Sequence, residues 1–323
     1  MNIKEKINTK DVLRKSAVLI VLLILIIVFS NMSPQFRTMG NLITILRQIS
    51  MLGVVSVGMT IVLISGGIDL SVGSQLSIVG VVTAMGYAKW GMPPAACILM
   101  GLAVGSFIGF FNGFVITKTG MPPMIATLAM QIMIRGLGFI ICDGASVYGL
   151  PGSFKLFGQG YIGPFPIPVL IMAVILFLSA FMLNRTYIGR YFYAVGSNEE
   201  ATRLSGLNTN RIKMLSYAIC GFLSAVAGII MMSRVNSGQP KAGDGFEMDV
   251  LTACVVGGVS ISGGEGRTSH ILVGALIMGV LSNGLVIVGV SEYWQQVAKG
   301  AVLLFAVGLD SVQRIGLKKK KAK

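Results

Sequence analysis

Apolar runs follow one another almost from end to end of this chain, and that succession limits its fold more than any other feature. Ten segments can be marked, at 17–30, 43–65, 72–88, 95–116, 124–142, 167–183, 214–232, 250–262, 271–290 and 293–309. A helix needs about 20 such residues to cross the hydrocarbon core of a bilayer. Several segments are shorter, and 250–262 is too short to cross alone as a straight helix. None alternates with period two, which argues against a barrel. Only 12% of the 323 residues are charged, against roughly 25% in a soluble domain, so most of the surface has no need to face water. The predicted fold is an all-α integral membrane protein of about ten transmembrane helices. Residues 17–310 form the membrane domain, 1–16 a cytoplasmic N-terminal segment and 311–323 a basic cytoplasmic tail.

The net charge of +14 has two readings, nucleic-acid binding or membrane orientation. The positions of the charges favour the second, because they gather at the two ends and in one central loop and no basic patch is interleaved with exposed aromatics. With ten crossings and both ends cytoplasmic, 18 of the 26 Lys and Arg fall on the cytoplasmic side and 6 outside; Arg135 and Lys299 lie within segments. That bias follows the positive-inside rule and agrees with an even number of crossings. The N-terminal stretch of Lys4, Lys6, Lys10, Arg14 and Lys15 before an apolar run resembles a signal peptide, but no small-x-small cleavage site follows at 30–34. It is read as a retained first span. The four cysteines, Cys97, Cys142, Cys220 and Cys254, sit in different apolar runs and read as small buried hydrophobes. His270 is the only histidine, which leaves histidine-based metal sites and triads without residues.

Glycine accounts for 42 positions, in keeping with helices packed backbone to backbone. Gly101, Gly105, Gly109 and Gly113 recur every fourth residue and mark a helix-packing face. A faint internal repeat also appears: Gly66-Gly67-Ile68-Asp69-Leu70-Ser71-Val72-Gly73 resembles Gly257-Gly258-Val259-Ser260-Ile261-Ser262-Gly263-Gly264. Glycine-broken segments at corresponding places in two halves point to a transport site. Gly66, Gly67, Asp69, Ser71, Gly257, Gly258 and Ser262 are therefore the candidates for a translocation pathway or gate.

Polar residues inside apolar segments each have two readings. Asp69, flanked by glycines, either caps the following span with Ser71 or lines the route. Gln131 and Arg135 share a helix face and pair with a partner inside the bundle, or serve function by default as intramembrane ionisable groups do. Gln295 and Lys299 share a face near a segment end, where Lys snorkels. Asn112 and Asn283 hydrogen-bond other helices or sugar hydroxyls.

The central polar loop reads Val195-Gly196-Ser197-Asn198-Glu199-Glu200-Ala201-Thr202-Arg203-Leu204-Ser205-Gly206. Ser197 or Asn198 as N-cap, Glu199 and Glu200 in the first turn and Gly206 as terminator predict a short helix. A phosphate loop is lacking: in Gly263-Gly264-Glu265-Gly266-Arg267-Thr268 an Arg replaces the required Lys and Ile261 stands where the first Gly belongs. The chain is not expected to hydrolyse nucleotide or to be an enzyme, and it is expected to hold no cofactor and no metal.

Four stretches resemble those of the ribose-type sugar permeases of ATP-binding cassette (ABC) importers. Glu200-Ala201-Thr202-x-x-x-Gly206 is similar to the family's coupling loop, and Gly66 to Ser74 to its signature. Gln239-Pro240-x-Ala242-Gly243-x-Gly245-x-Glu247-x-Asp249 and Gly257 to Gly266 follow in the family's order. Met248, the 260–262 stretch and the Lys318–Lys321 tail depart from it. The resemblance implies a fold like that of the vitamin B12-type importers and a permease that moves a simple sugar across the bacterial plasma membrane. It implies a coupling loop at Glu199, Glu200, Ala201, Arg203 and Gly206. It also implies a second permease, an ATPase subunit with two nucleotide-binding domains that holds ATP and Mg, and an extracytoplasmic sugar-binding protein, with the pathway between the two permeases and membrane lipid around them. No nucleic-acid partner is expected. A permease for nucleosides or branched-chain amino acids, a secondary transporter and a non-transporting scaffold are the alternatives. The sugar, and whether the second permease is a copy of this chain, stay open.

Overall fold

A computed structural model describes the backbone of residues 9–321 and the side chains of 19–268 and 271–308. The ends of the predicted N-terminal segment and basic tail, 1–8 and 322–323, lie outside the described residues. The helices in chain order are α1 Thr9–Met32, α2 Met39–Ile64, α3 Val72–Ala88, α4 Pro94–Thr119, α5 Pro123–Ile141, α6 Lys155–Gln159, α7 Ile167–Arg185, α8 Tyr187–Ser197, α9 Glu199–Leu204, α10 Thr209–Val235, α11 Phe246–Val256, α12 Thr268–Ile287 and α13 Glu292–Lys321. Each apolar segment of the sequence contributes to a separate helix, although α11 ends at Val256, before the 250–262 segment does. Proline opens α4, α5 and α7 in the first turn, where its missing N–H costs nothing. Gly120 closes α4 in the left-handed conformation, at φ 70°. Between α6 and α7 a two-residue hairpin pairs β1, Tyr161–Ile162, with β2, Phe165–Pro166, a small departure from an all-helical chain.

Five of the described helices, α2, α4, α5, α7 and α10, are long and apolar enough to cross a membrane singly. The chain is an all-α membrane protein, and its burial pattern has the sense that lipid requires. Residues from Ser50 to Ile64 of α2 are all buried, and α7, α10, α11 and α12 pack around that helix. The periphery is apolar rather than polar, with Leu99, Phe107, Ile132, Ile140, Phe177 and Leu304 all exposed. An apolar exterior of this extent marks a membrane-facing surface.

Helix α4 shows how the bundle holds without a hydrophobic gradient. Its glycines face inward and its phenylalanines, Phe107, Phe110, Phe111 and Phe114, face out. Lipid tails are as apolar as leucine, so association rests on close van der Waals contact, which small residues permit. A Cβ on Gly101 would overlap Thr83 of α3. On Gly105 it would press on Ala225, on Gly109 on the Tyr217 carbonyl and on Gly113 on the Met214 backbone, all of α10. The four-residue spacing thus places α4 across both α3 and α10.

Candidate functional site

Asn198 caps the short helix α9, accepting the Ala201 N–H on Oδ1 at 2.9 Å, and Gly206 follows its end at φ 87°. Glu199 and Glu200 lie in its first turn, where they complement the helix dipole. Glu199 also pairs with Lys213 of α10 at 2.5 Å, tying α9 to a long helix. Glu199, Glu200, Arg203 and Gly206 line a shallow groove of about 690 Å³ with the following turn. Ala201 and Arg203 are exposed, whereas Thr202 is buried. The predicted loop residues therefore share one accessible element.

The two glycine-broken stretches end their helices in the same way. At the end of α2, Gly66 N–H reaches the Leu63 carbonyl and Gly67 N–H the Val62 carbonyl; at the end of α11, Gly258 N–H reaches Val255 and Val259 N–H reaches Cys254. Gly66 has φ 81° and Gly258 φ 85°. Both are left-handed Schellman terminations, so Gly66 corresponds to Gly258. The sequence repeat pairs Gly66 with Gly257 instead and is one residue out of step, because Gly257 is itself still in the helical region at φ −64°.

The turn that follows the α11 termination meets the end of α2. Gly264 N–H donates to the Ile64 carbonyl at 2.9 Å, and a Cβ on Gly263 would touch Gly66. Gly196, near the end of α8, fills the remaining gap: a Cβ there would overlap the Ile64 carbonyl and press on Gly264 N. Tyr193 of α8 donates its hydroxyl to the Gly266 carbonyl at 2.7 Å. Burial pushes the Tyr193 phenol up and Arg267 opposes the shift, so it remains a neutral donor. Ser262 is exposed beside this junction. Asn198, the residue after Ser197, caps α9, so the loop helix follows directly on this junction. Nothing in the sequence singled out Gly196 for this role, since it lies just before the short helix that the sequence predicts.

Asp69 lies beyond the first break and is fully buried. Its Oδ1 accepts the Ser71 N–H at 3.0 Å and the Ser71 hydroxyl at 2.6 Å. Gln75 of α3 donates to Oδ2 at 3.2 Å, and Asn112 of α4 donates to Oδ1 at 3.3 Å and to Ser71 Oγ at 2.8 Å. Thr127 of α5 accepts the Leu70 N–H, and Tyr217 of α10 donates to the Ile68 carbonyl at 3.2 Å. The N-cap residue of α3 is Ser71 rather than Asp69; Asp69 holds the turn before it. Asn112, left open between two readings, serves this turn. Its counterpart Asn283 of α12 donates to Asn41 of α2 at 2.9 Å.

A second polar set surrounds the start of α11, which begins inside the bundle. The Arg135 guanidinium donates to the carbonyls of Pro240, Ala242 and Gly243 at 3.1, 2.7 and 3.3 Å. Gln131 donates to Glu247 at 2.8 Å. Residues 236–245 run back along α3, with Ser77 donating to the Pro240 carbonyl at 2.7 Å and Gly73 closely packed on Gly243 and Glu247. Irregular backbone at this depth is tolerated where its polar groups find partners inside the protein. Lys299 of α13 does not snorkel outward: it pairs with Asp249 of α11 at 2.7 Å. Its sequence neighbour on that face, Gln295, turns to the Val290 carbonyl at 2.8 Å.

Residues 41–307 match the family model described as "Branched-chain amino acid transport system / permease component". The chain is 43% identical over 307 residues to the ribose import permease protein RbsC of Escherichia coli (strain K12), covering 94% of this chain and 95% of that one. It is 41% identical over 309 residues to RbsC of Bacillus subtilis (strain 168), covering 95% and 96%. With the L-arabinose transport system permease protein AraH of Escherichia coli (strain K12), identity is 38% over 298 residues, covering 90% and 89%. No solved structure matches the chain.

Proposed function

The chain belongs to the branched-chain amino acid transport system / permease component family, and from that membership we propose that it is the membrane-spanning permease subunit of an ABC importer for a simple sugar. The observation that carries this reading is the identity to ribose and arabinose permeases along nearly the whole chain. The family's description names amino acids, but the relatives matched at high identity are named for pentoses, and that favours a sugar.

In this reading ten helices cross the bacterial inner membrane, both termini face the cytoplasm and the fold is of the vitamin B12-importer kind. Two permeases pair around the pathway, an extracytoplasmic binding protein delivers the sugar, and a separate ATPase subunit with two nucleotide-binding domains binds ATP and Mg and supplies the energy. Helix α9 docks on that ATPase through Glu199, Glu200, Ala201 and Arg203, with Gly206 ending the docking element. The geometry supports this role because α9 is accessible and α8, directly before it, packs on both breaks. A shift of α9 would reach the Gly66–Gly67 termination, and the 263–264 turn that follows Gly257 and Gly258, through the Gly196 contact. Those residues, with Asp69, Ser71 and Ser262, form the inner gate in this reading, Asp69 holding the shape of its first elbow.

The test is reconstitution with the cognate ATPase and binding protein in proteoliposomes. The expected result is accumulation of labelled ribose, arabinose or xylose that requires ATP, with no accumulation of leucine. Uptake driven by a proton or sodium gradient without the ATPase would replace this reading with a secondary transporter.

A further inference from the structure

Helix α7 is 19 residues long, about 28 Å at 1.5 Å per residue. That is close to the roughly 30 Å of a bilayer's hydrocarbon core, so its last residue stands where hydrocarbon gives way to headgroups. Phe177, Phe181 and Arg185 follow at intervals of four along α7, and all three are exposed. Residues four apart share a helix face, so Arg185 ends a stripe that meets lipid. Phe110, Phe114 and Lys118 repeat the pattern at the end of α4, also exposed, and mark the same boundary.

Thr186 alone separates α7 from α8 and fixes the elbow between them. Its hydroxyl donates to the Met182 carbonyl at 2.7 Å and accepts the Gly189 N–H at 3.3 Å. Gly189 sits so close that a Cβ on it would overlap the Met182 and Leu183 carbonyls. Helix α8 is thereby held at the level of the boundary. Its Gly189, Phe192 and Val195 are buried, whereas Tyr187 and Arg190 are exposed. Tyr191, half-buried, lies against Tyr187 with ring centroids 6.2 Å apart. Tyrosine suits a membrane–water interface because its ring is apolar and its hydroxyl is wet.

Charge identifies what this surface holds. Residues 185–198 include Arg185 and Arg190 and no acidic residue. Neither arginine makes a hydrogen bond or ion pair among the described residues. Other exposed cations also lack carboxylate partners, Lys118 among them, but that lysine has no tyrosine beside it in the chain. Two guanidiniums at headgroup depth, flanked by two tyrosines, match a phosphate joined to a glycerol and acyl chains, since guanidinium pairs with phosphate through parallel N–H donors. A zwitterionic headgroup brings its own cation and is disfavoured here. We propose that Arg185, Arg190 and the Tyr187–Tyr191 pair form a docking surface for anionic phospholipid of the leaflet at this end of the bundle. It needs only the membrane embedding of the chain; in the importer reading that leaflet is the cytoplasmic one.

Native mass spectrometry of the full chain, titrated with dioleoylphosphatidylglycerol or dioleoylphosphatidylcholine, tests the surface. The parent is expected to prefer phosphatidylglycerol. The double variant Arg185→Gln/Arg190→Gln is expected to bind it about tenfold more weakly, with phosphatidylcholine unchanged. Lys89→Gln/Lys155→Gln removes the same charge from exposed lysines at the other end of the bundle and should keep the parental affinity. Parental affinity in the arginine variant would overturn the proposal, and so would an equal fall in the lysine variant, which would reduce the effect to net charge. Loss of ATPase co-purification with phosphatidylglycerol affinity unchanged would assign the surface to that subunit instead. A second measurement leaves the arginines intact. Tyr187→Trp is placed in mixed bilayers, with the parent and its two tryptophans as background. Dibrominated phosphatidylglycerol is expected to quench the added fluorescence more than dibrominated phosphatidylcholine at the same mole fraction; equal quenching would overturn the proposal. Neither measurement involves sugar uptake, so the importer reading stands or falls separately.

Discussion

Asp69 brings a carboxylate into the bundle among four neutral donors: the Ser71 amide and hydroxyl, Gln75 and Asn112. The Gln75 carbonyl oxygen beside it is buried without a partner. That pairing makes the two obvious substitutions behave differently. In Asp69→Asn the new amide N–H₂ can donate to Gln75 once that side chain reverses, while the remaining oxygen keeps Ser71. Its loss of stability should be about 1 kcal/mol. Asp69→Ala strands several buried donors at about 1–3 kcal/mol each and should cost at least about 3 kcal/mol. Thermal unfolding in detergent separates the two; equal losses would remove the hydrogen-bond web as the role of this residue. If the gate reading holds, Asp69→Asn also slows uptake while assembling normally.

Among elements, α8 and α9 act as one arm that runs from the exposed docking helix to the Gly66–Gly196–Gly264 contact. Two opposing effects set the outcome of Gly196→Ala. Alanine is better than glycine in a helix by about 1 kcal/mol, whereas overpacking against a backbone costs typically about 1–3 kcal/mol. The Ile64 carbonyl that a Cβ would strike is backbone and cannot turn aside, so net destabilisation and slower uptake are expected. A variant with a higher melting temperature would show the junction to be looser than described. On α9, Glu200→Lys reverses the charge of the first turn, and Gly206→Val places a β-branched residue at φ 87°, where it is strained. Each should weaken ATPase association by about 1–2 kcal/mol, roughly tenfold in affinity, as measured by co-purification from membranes. Parental uptake by both variants would reduce α9 to a connector.

On the scale of the whole molecule, the 18-to-6 distribution of basic residues and the layout of helices give a single orientation to test. Ser205, exposed after α9, and Tyr148, exposed in the segment between α5 and α6, are expected on opposite sides of the membrane. A membrane-impermeant thiol reagent on intact cells should label Tyr148→Cys and spare Ser205→Cys as well as a cysteine placed at position 323. Labelling of 323 from outside would invert the model. The apolar exterior of α4, α5, α7 and α13 requires lipid or detergent on nearly every side, so extraction without either should precipitate the protein.

The sequence by itself determined that the chain is helical and membrane-embedded, where most of its long apolar helices lie, and that two of them end at glycine. Each of those properties is local: apolar length, proline at a first turn and glycine past a last turn act within a few residues of themselves. Family membership was legible for a similar reason, since its motifs are short and ordered. What the sequence left open was decided by contacts between residues far apart in the chain. Asn112 was poised between two readings until α4 was seen to lie against the Asp69 turn. Lys299 was free to snorkel until α13 was found on α11, with Asp249 in reach. The repeat was detectable, but its true register depended on backbone angles that side-chain identity does not report. Gly196 looks like an ordinary small residue in its helix. It closes a backbone junction because helix packing, which sums many weak contacts across the whole bundle, sets what it faces.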